Sequence, residues 1–127
     1  MVPKLMDAPT WQVGSVLSAP IDRRIAAAVE AVTKDVSRPW TAAAMAELVH
    51  LSESRFAHLF RSAIGVSPVR FVLETMLLEG HRLLCDTFLS VKEVSVMVGF
   101  RDRSHFNRAF KTRFGITPGD LKRHSSK

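Results

Sequence analysis

Arg103, Ser104, Asn107, Arg108 and Lys111 fall at spacings of three and four residues, which on a helix gathers them on one face. Their types suggest the chemistry. Arginine presents two donors that match guanine O6 and N7, asparagine pairs with adenine N6 and N7, and serine serves either base. Lys111, one turn further on, suits a phosphate, as does Arg61 in a similar stretch upstream. A protein-binding face would instead be enriched in aromatic and methionine anchors. These residues imply recognition of base edges and phosphates in a duplex groove.

Other chemistries find less support. His81 and Cys85 are four residues apart, half of a metal site, but no second ligand pair stands at finger spacing. The expectation is no metal, with His81 facing solvent and Cys85 a small, buried or half-buried apolar side chain. Glu74 and Glu79 have no evident pocket to raise a pKa for acid–base work. No Gly-rich phosphate loop follows a strand. No catalytic residue, no cofactor and no enzyme activity are expected.

The 127 residues carry 18 Lys and Arg against 12 Asp and Glu. Residues 1–100 balance at ten of each, so the excess lies in 101–127, in Arg101, Arg103, Arg108, Lys111, Arg113, Lys122, Arg123 and Lys127 against Asp102 and Asp120. Cations interleaved with an apolar helical stripe suit a phosphate-facing surface. A single cysteine excludes an internal disulfide and fits a reducing compartment. No apolar run approaches the roughly 20 residues that span a bilayer, and the start lacks the order of a signal peptide. A cytoplasmic protein with no membrane association is expected.

These side chains need elements to hold them, and the sequence supplies them twice. Phe56, Phe60, Arg61, Gly65, Ser67 and Pro68 return 50 positions later as Phe106, Phe110, Lys111, Gly115, Thr117 and Pro118. Such a repeat marks two copies of one supersecondary unit. Capping signals place the helices. Thr41, Ser52, Ser67 before Pro68, Asp102 and Thr117 are N-caps, and Ser90 with Glu93 is a capping box. Gly65 and Gly115 stand where a left-handed residue ends a helix. Ile21, Ile25, Val29, Val32 and Val36 mark a first helix over about 21–36, after an irregular lead-in over 1–19.

The prediction is all-α: seven helices in a domain over 20–127, with two helix-turn-helix subdomains (about 42–64 and 91–114) joined by a long linker helix (about 69–85). The second turn is one residue longer, since Met45 precedes Phe56 by 11 positions and Val94 precedes Phe106 by 12. Phe56, Leu59, Phe60 and Ala63 should face inward from the third helix, and Phe106, Ala109, Phe110 and Phe114 from the sixth.

Val94, Gly99-Phe100, Phe106, Phe110-Lys111 and Phe114-Gly115-Ile116-Thr117-Pro118 together resemble the DNA-binding domain of the AraC/XylS family of bacterial transcription regulators. The resemblance covers about 21–123. It implies a sequence-specific transcription regulator, an activator in this family's pattern, that lays two recognition helices in successive major grooves of double-stranded promoter DNA and contacts RNA polymerase. It carries base contact to Ser54, Ala57, His58, Arg103, Ser104, Asn107 and Arg108. Backbone N–H groups at the starts of helices two and five are further phosphate donors. A 17-residue linker helix spans about 25 Å, toward the roughly 34 Å between successive groove faces, so a monomer suffices unless a separate dimerisation domain is missing.

The chain departs from the family pattern at Met76 (usually Arg), Gly80 (Ala), His50 (often Gly) and Leu121 (aromatic). The second unit, with three cations on its outer face against Arg61, His58 and Glu53 in the first, should supply more of the affinity. No effector domain fits within 1–19. The alternatives are the DNA-binding fragment of a larger effector-responsive regulator, or a protein-interaction module without specific DNA binding.

Overall fold

The computed structural model describes residues 22–125, so the lead-in over 1–19 and Ile21 of the first stripe lie outside the described residues. Seven helices run in order: α1 (Arg23–Lys34), α2 (Ala42–Leu48), α3 (Glu53–Ile64), α4 (Pro68–Asp86), α5 (Val91–Met97), α6 (Arg103–Phe114) and α7 (Pro118–Ser125). No strand occurs among the described residues.

Each helix start is set by a short polar side chain that accepts an otherwise unpaired first-turn N–H, worth about 1 kcal/mol. Thr41 accepts from Ala44 at 3.0 Å, Ser52 from Arg55 at 3.2 Å, Ser67 from Arg70 at 3.2 Å and Thr117 from Asp120 at 3.1 Å. The Ser90–Glu93 box closes in both directions, at 3.0 and 2.8 Å. Asp22, which sequence analysis did not single out, caps α1 by accepting the Arg24 N–H at 2.8 Å. The Arg24 guanidinium bonded to the same carboxyl lowers it to about 2.

The contacts divide the chain into two units. The first comprises the described residues up to Asp35 together with Trp40–Val72. Ile25, Ala28, Val29 and Val32 of α1, Met45 of α2 and Phe56 and Phe60 of α3 are buried. The rings of Phe56 and Phe60, and of Phe60 and Phe71, lie 5.5 Å apart. The Trp40 indole N–H donates to the Asp35 carbonyl at 2.7 Å, which satisfies the polar edge of a buried ring.

The second unit comprises Val36–Pro39 and Leu73 onward. Its core joins Leu77, Leu83 and Leu84 of α4, Val94 of α5, Val98 and Phe100 of the turn after it, the α6 phenylalanines and Leu121. Full burial of one such side chain contributes about 1.5–3 kcal/mol. Gly80 has a packing reason: a Cβ there would stand 3.0 Å from Phe106 Cε1 and 3.2 Å from its Cζ. Alanine would add roughly 1 kcal/mol of helix propensity but would press on that ring.

Two inferences about α4 are corrected. His81 is 5% exposed rather than solvent-facing, its ring stacked 5.9 Å from Phe110 and tilted 4.7 Å from Phe114. Cys85 is the exposed member of the pair. The apolar pattern of α4 is too broad to show which flank the second unit covers. On α3, Ile64 is buried and Ala63 exposed, because the buried stripe continues from Phe60 at a step of four rather than three.

Candidate nucleic-acid interface

α3 and α6 each follow a tight left-handed turn. After α2 the chain passes through Val49 to His50 at φ 62°, and after α5 through Val98 to Gly99 at φ 100°. The next residue then bonds back: Leu51 N–H to the Ala46 carbonyl at 3.0 Å, Phe100 N–H to the Ser95 carbonyl at 2.9 Å. From there the copies differ. Ser52 caps α3 at once, whereas Arg101 intervenes before Asp102, which caps α6 by accepting the Ser104 N–H at 2.9 Å. The additional residue of the second turn is therefore placed at Arg101, exposed beside the helix start.

Three buried phenylalanines, Phe106, Phe110 and Phe114, turn α6 so that Arg103, Ser104, Arg108 and Lys111 are exposed and Asn107 is half-buried. On α3, burial of Phe56, Phe60 and Ile64 leaves Ser54, His58 and Arg61 exposed and Ala57 half-buried. The fold thus gathers the base-edge and phosphate candidates into one strip per helix. Arg55, absent from the sequence-based candidates, is exposed as well.

The C-terminal charge is distributed unevenly. Arg113 turns inward, its Nε 2.5 Å from Glu74 Oε2, and that carboxylate is buried. Lys122 donates to the Thr87 carbonyl at 3.3 Å, and Arg123 pairs with Asp120. The exposed cations at α6 are therefore Arg101, Arg103, Arg108 and Lys111. The start of α5 is also less open to phosphate than its sequence suggests. The Ser90 and Glu93 side chains occupy the Glu93 and Ser90 N–H groups, and the Ser90 N–H, donating to the Glu93 carboxylate, holds that carboxyl below its usual range, as an anion. Ligand-type side chains do not converge: His81 Nδ1 lies 3.8 Å from Cys85 Sγ, and no third His, Cys, Asp or Glu groups with them among the described residues.

A family model described as a helix-turn-helix domain matches residues 45–124. The chain belongs to the AraC/XylS family. Among similar members, the transcriptional regulator MtrA of Neisseria gonorrhoeae is 30% identical over 112 residues, covering 88% of this chain and 37% of MtrA. The arabinose operon regulatory protein of Escherichia coli is 30% identical over 107 residues, covering 84% and 37%. The chain spans under two fifths of the length of these AraC/XylS relatives. The fold matches that of the C-terminal domain of AraT from Geobacillus stearothermophilus, with a TM-score of 0.79 at 21% identity over 84% of this chain and 88% of that one. It likewise matches the DNA-binding domain of AdpA, solved with a target DNA, with a TM-score of 0.78 at 23% identity over 81% and 93%.

Proposed function

We propose that this chain is the DNA-reading part of a transcription regulator, placing α3 and α6 in successive major grooves of promoter DNA. The observation that carries this is the strip on α6: exposed arginines and serine flank a half-buried asparagine on a helix anchored by three buried phenylalanines. Arg103, Ser104, Asn107 and Arg108 read bases from α6, and Ser54, Ala57 and His58 read them from α3. Arg61 and Lys111 hold phosphates, joined by Arg101. AraC/XylS membership supports this reading, as does the presence of DNA in the AdpA structure.

The chain binds as a monomer, since one copy carries both readers, and it acts by binding rather than catalysis. Activation through contact with RNA polymerase, in the cytoplasm, completes the proposal. A similar protein, the transcriptional activator RclR of Escherichia coli, and the absence of any helix among the described residues long and apolar enough to cross a membrane are consistent with it.

The test is selection of duplexes from a random-sequence pool at near-physiological salt. The expected product is an asymmetric motif with two blocks about 10 base pairs apart. Binding that enriches no sequence and vanishes as salt rises would overturn specific reading.

A further inference from the structure

We propose that the ion pair between buried Glu74 and half-buried Arg113 is a positioning device that sets the rotation of α6 on α4 and so aims the base-reading side chains of the second unit. The inference rests on the DNA-reading role given above.

Glu74 is 5% exposed, and its carboxylate meets Arg113 across 39 positions of sequence. The Arg113 guanidinium carbon also lies 4.8 Å from the Phe114 ring centroid, so the fork is held on a second side. The other contacts of α6 with α4 include Phe106 against Gly80 and Phe110 and Phe114 against His81. Contacts of that kind are attractive but weakly directional. A guanidinium–carboxylate bond is directional, and a buried carboxylate tolerates no alternative that leaves it unpaired. A slip of α6 by one residue turns a side chain by about 100°, removing Arg113 from Glu74 and swinging Arg103, Asn107 and Arg108 off the groove. The first unit has Ala63 at the position of Arg113 in the repeat, so this bond is not repeated there.

The experiment compares the wild type with Glu74→Leu, Arg113→Met, their double variant and Arg113→Lys. It measures the thermal midpoint and the ratio of affinities for a selected duplex and one with the α6 half-site scrambled. Each single variant should unfold earlier. The double, with no buried charge left unpaired, should recover the midpoint while its affinity ratio falls about tenfold or more. A double that recovers both overturns the proposal. Should the double fail to fold, Arg113→Lys decides, because it keeps the charge without the planar fork: a reduced ratio supports positioning and an unchanged ratio refutes it. A wild type without sequence preference would refute the DNA-reading role instead. Backbone amide shifts then judge the pair without DNA. Changes reaching Arg103–Arg108 in Arg113→Lys support it, and changes confined to the surroundings of residues 74 and 113 overturn it.

Discussion

At the turn before α3 the left-handed position is held by His50 at φ 62°, and at the turn before α6 by Gly99 at φ 100°. The two sites make equivalent backbone bonds and differ in what surrounds them. His50 is exposed, so a side chain there bears mainly the backbone strain of a left-handed residue, about 1–2 kcal/mol. A Cβ at Gly99 would stand 3.2 Å from the Val36 carbonyl oxygen and 3.3 Å from the Ser37 Cα and carbonyl oxygen. The second turn is walled by backbone. With the Gly80 seat for Phe106 and the Glu74–Arg113 bond, the second reader is held by steric and polar constraints whose counterparts at His50 and Ala63 are lacking in the first. It also presents the denser cationic strip. Fixed seating and charged surface coincide in one unit, which is what tight base reading requires.

The largest effect should come from Gly99→Ala, which adds left-handed strain to a clash with backbone that cannot rotate away; the loss should be about 2–4 kcal/mol in denaturant unfolding. His50→Ala should leave stability within about 0.5 kcal/mol, since an exposed left-handed residue replaces another. Equal effects would remove the contrast between the turns.

Next is Arg108→Ala, expected to weaken specific binding by about 1–3 kcal/mol. Ser54→Ala, on the opposing reader, should weaken it less. Competition titrations check the order, and equal losses would refute the asymmetry.

A smaller effect follows acidification. Burial, reinforced by the Arg113 charge, lowers the His81 pKa from 6.5, while the Asp86 carboxylate opposes the shift. The unfolded chain therefore binds a proton near pH 6.5 that the folded chain refuses. Stability is full above that pH and falls as pH drops toward the folded-state value, by at most about 1.4 kcal/mol per pH unit. His81→Phe should flatten this slope in unfolding curves between pH 7 and 5, and an unchanged slope would place the titration elsewhere.

The smallest expected effect is a gain. His50→Gly should raise stability by roughly 0.5–1 kcal/mol, as relief of left-handed strain exceeds the added entropy of the unfolded chain. A lower melting temperature would show that the His50 side chain contributes to the fold.

The helices were legible in the sequence because their signals are local. Thr41, Ser52, Ser67, Ser90, Asp102 and Thr117 bond within three residues of themselves, and Gly65 and Gly115 act through their own backbone angles. The outward strips followed from the phenylalanine spacing. The occupants of α4 were not legible. Glu74 and Arg113 look like surface charges until a contact 39 residues apart buries the carboxylate and half-buries the guanidinium. His81 and Cys85 exchange roles because burial along a broadly apolar helix depends on which neighbour arrives. The Glu93 carboxylate at the start of α5 was visible as a cap, but its consequence for phosphate binding requires knowing that both box bonds form.

The most direct test of unequal reading is to titrate the wild type and Arg108→Ala against the selected duplex and against two versions of it, each with one half-site scrambled. The half-site whose scrambling penalty shrinks in Arg108→Ala relative to the wild type is the one read by α6. For the wild type, scrambling that half should raise Kd about tenfold more than scrambling the other, since each lost base pair removes about 1–3 kcal/mol. Equal losses, or a greater loss from the α3 half-site, would contradict it.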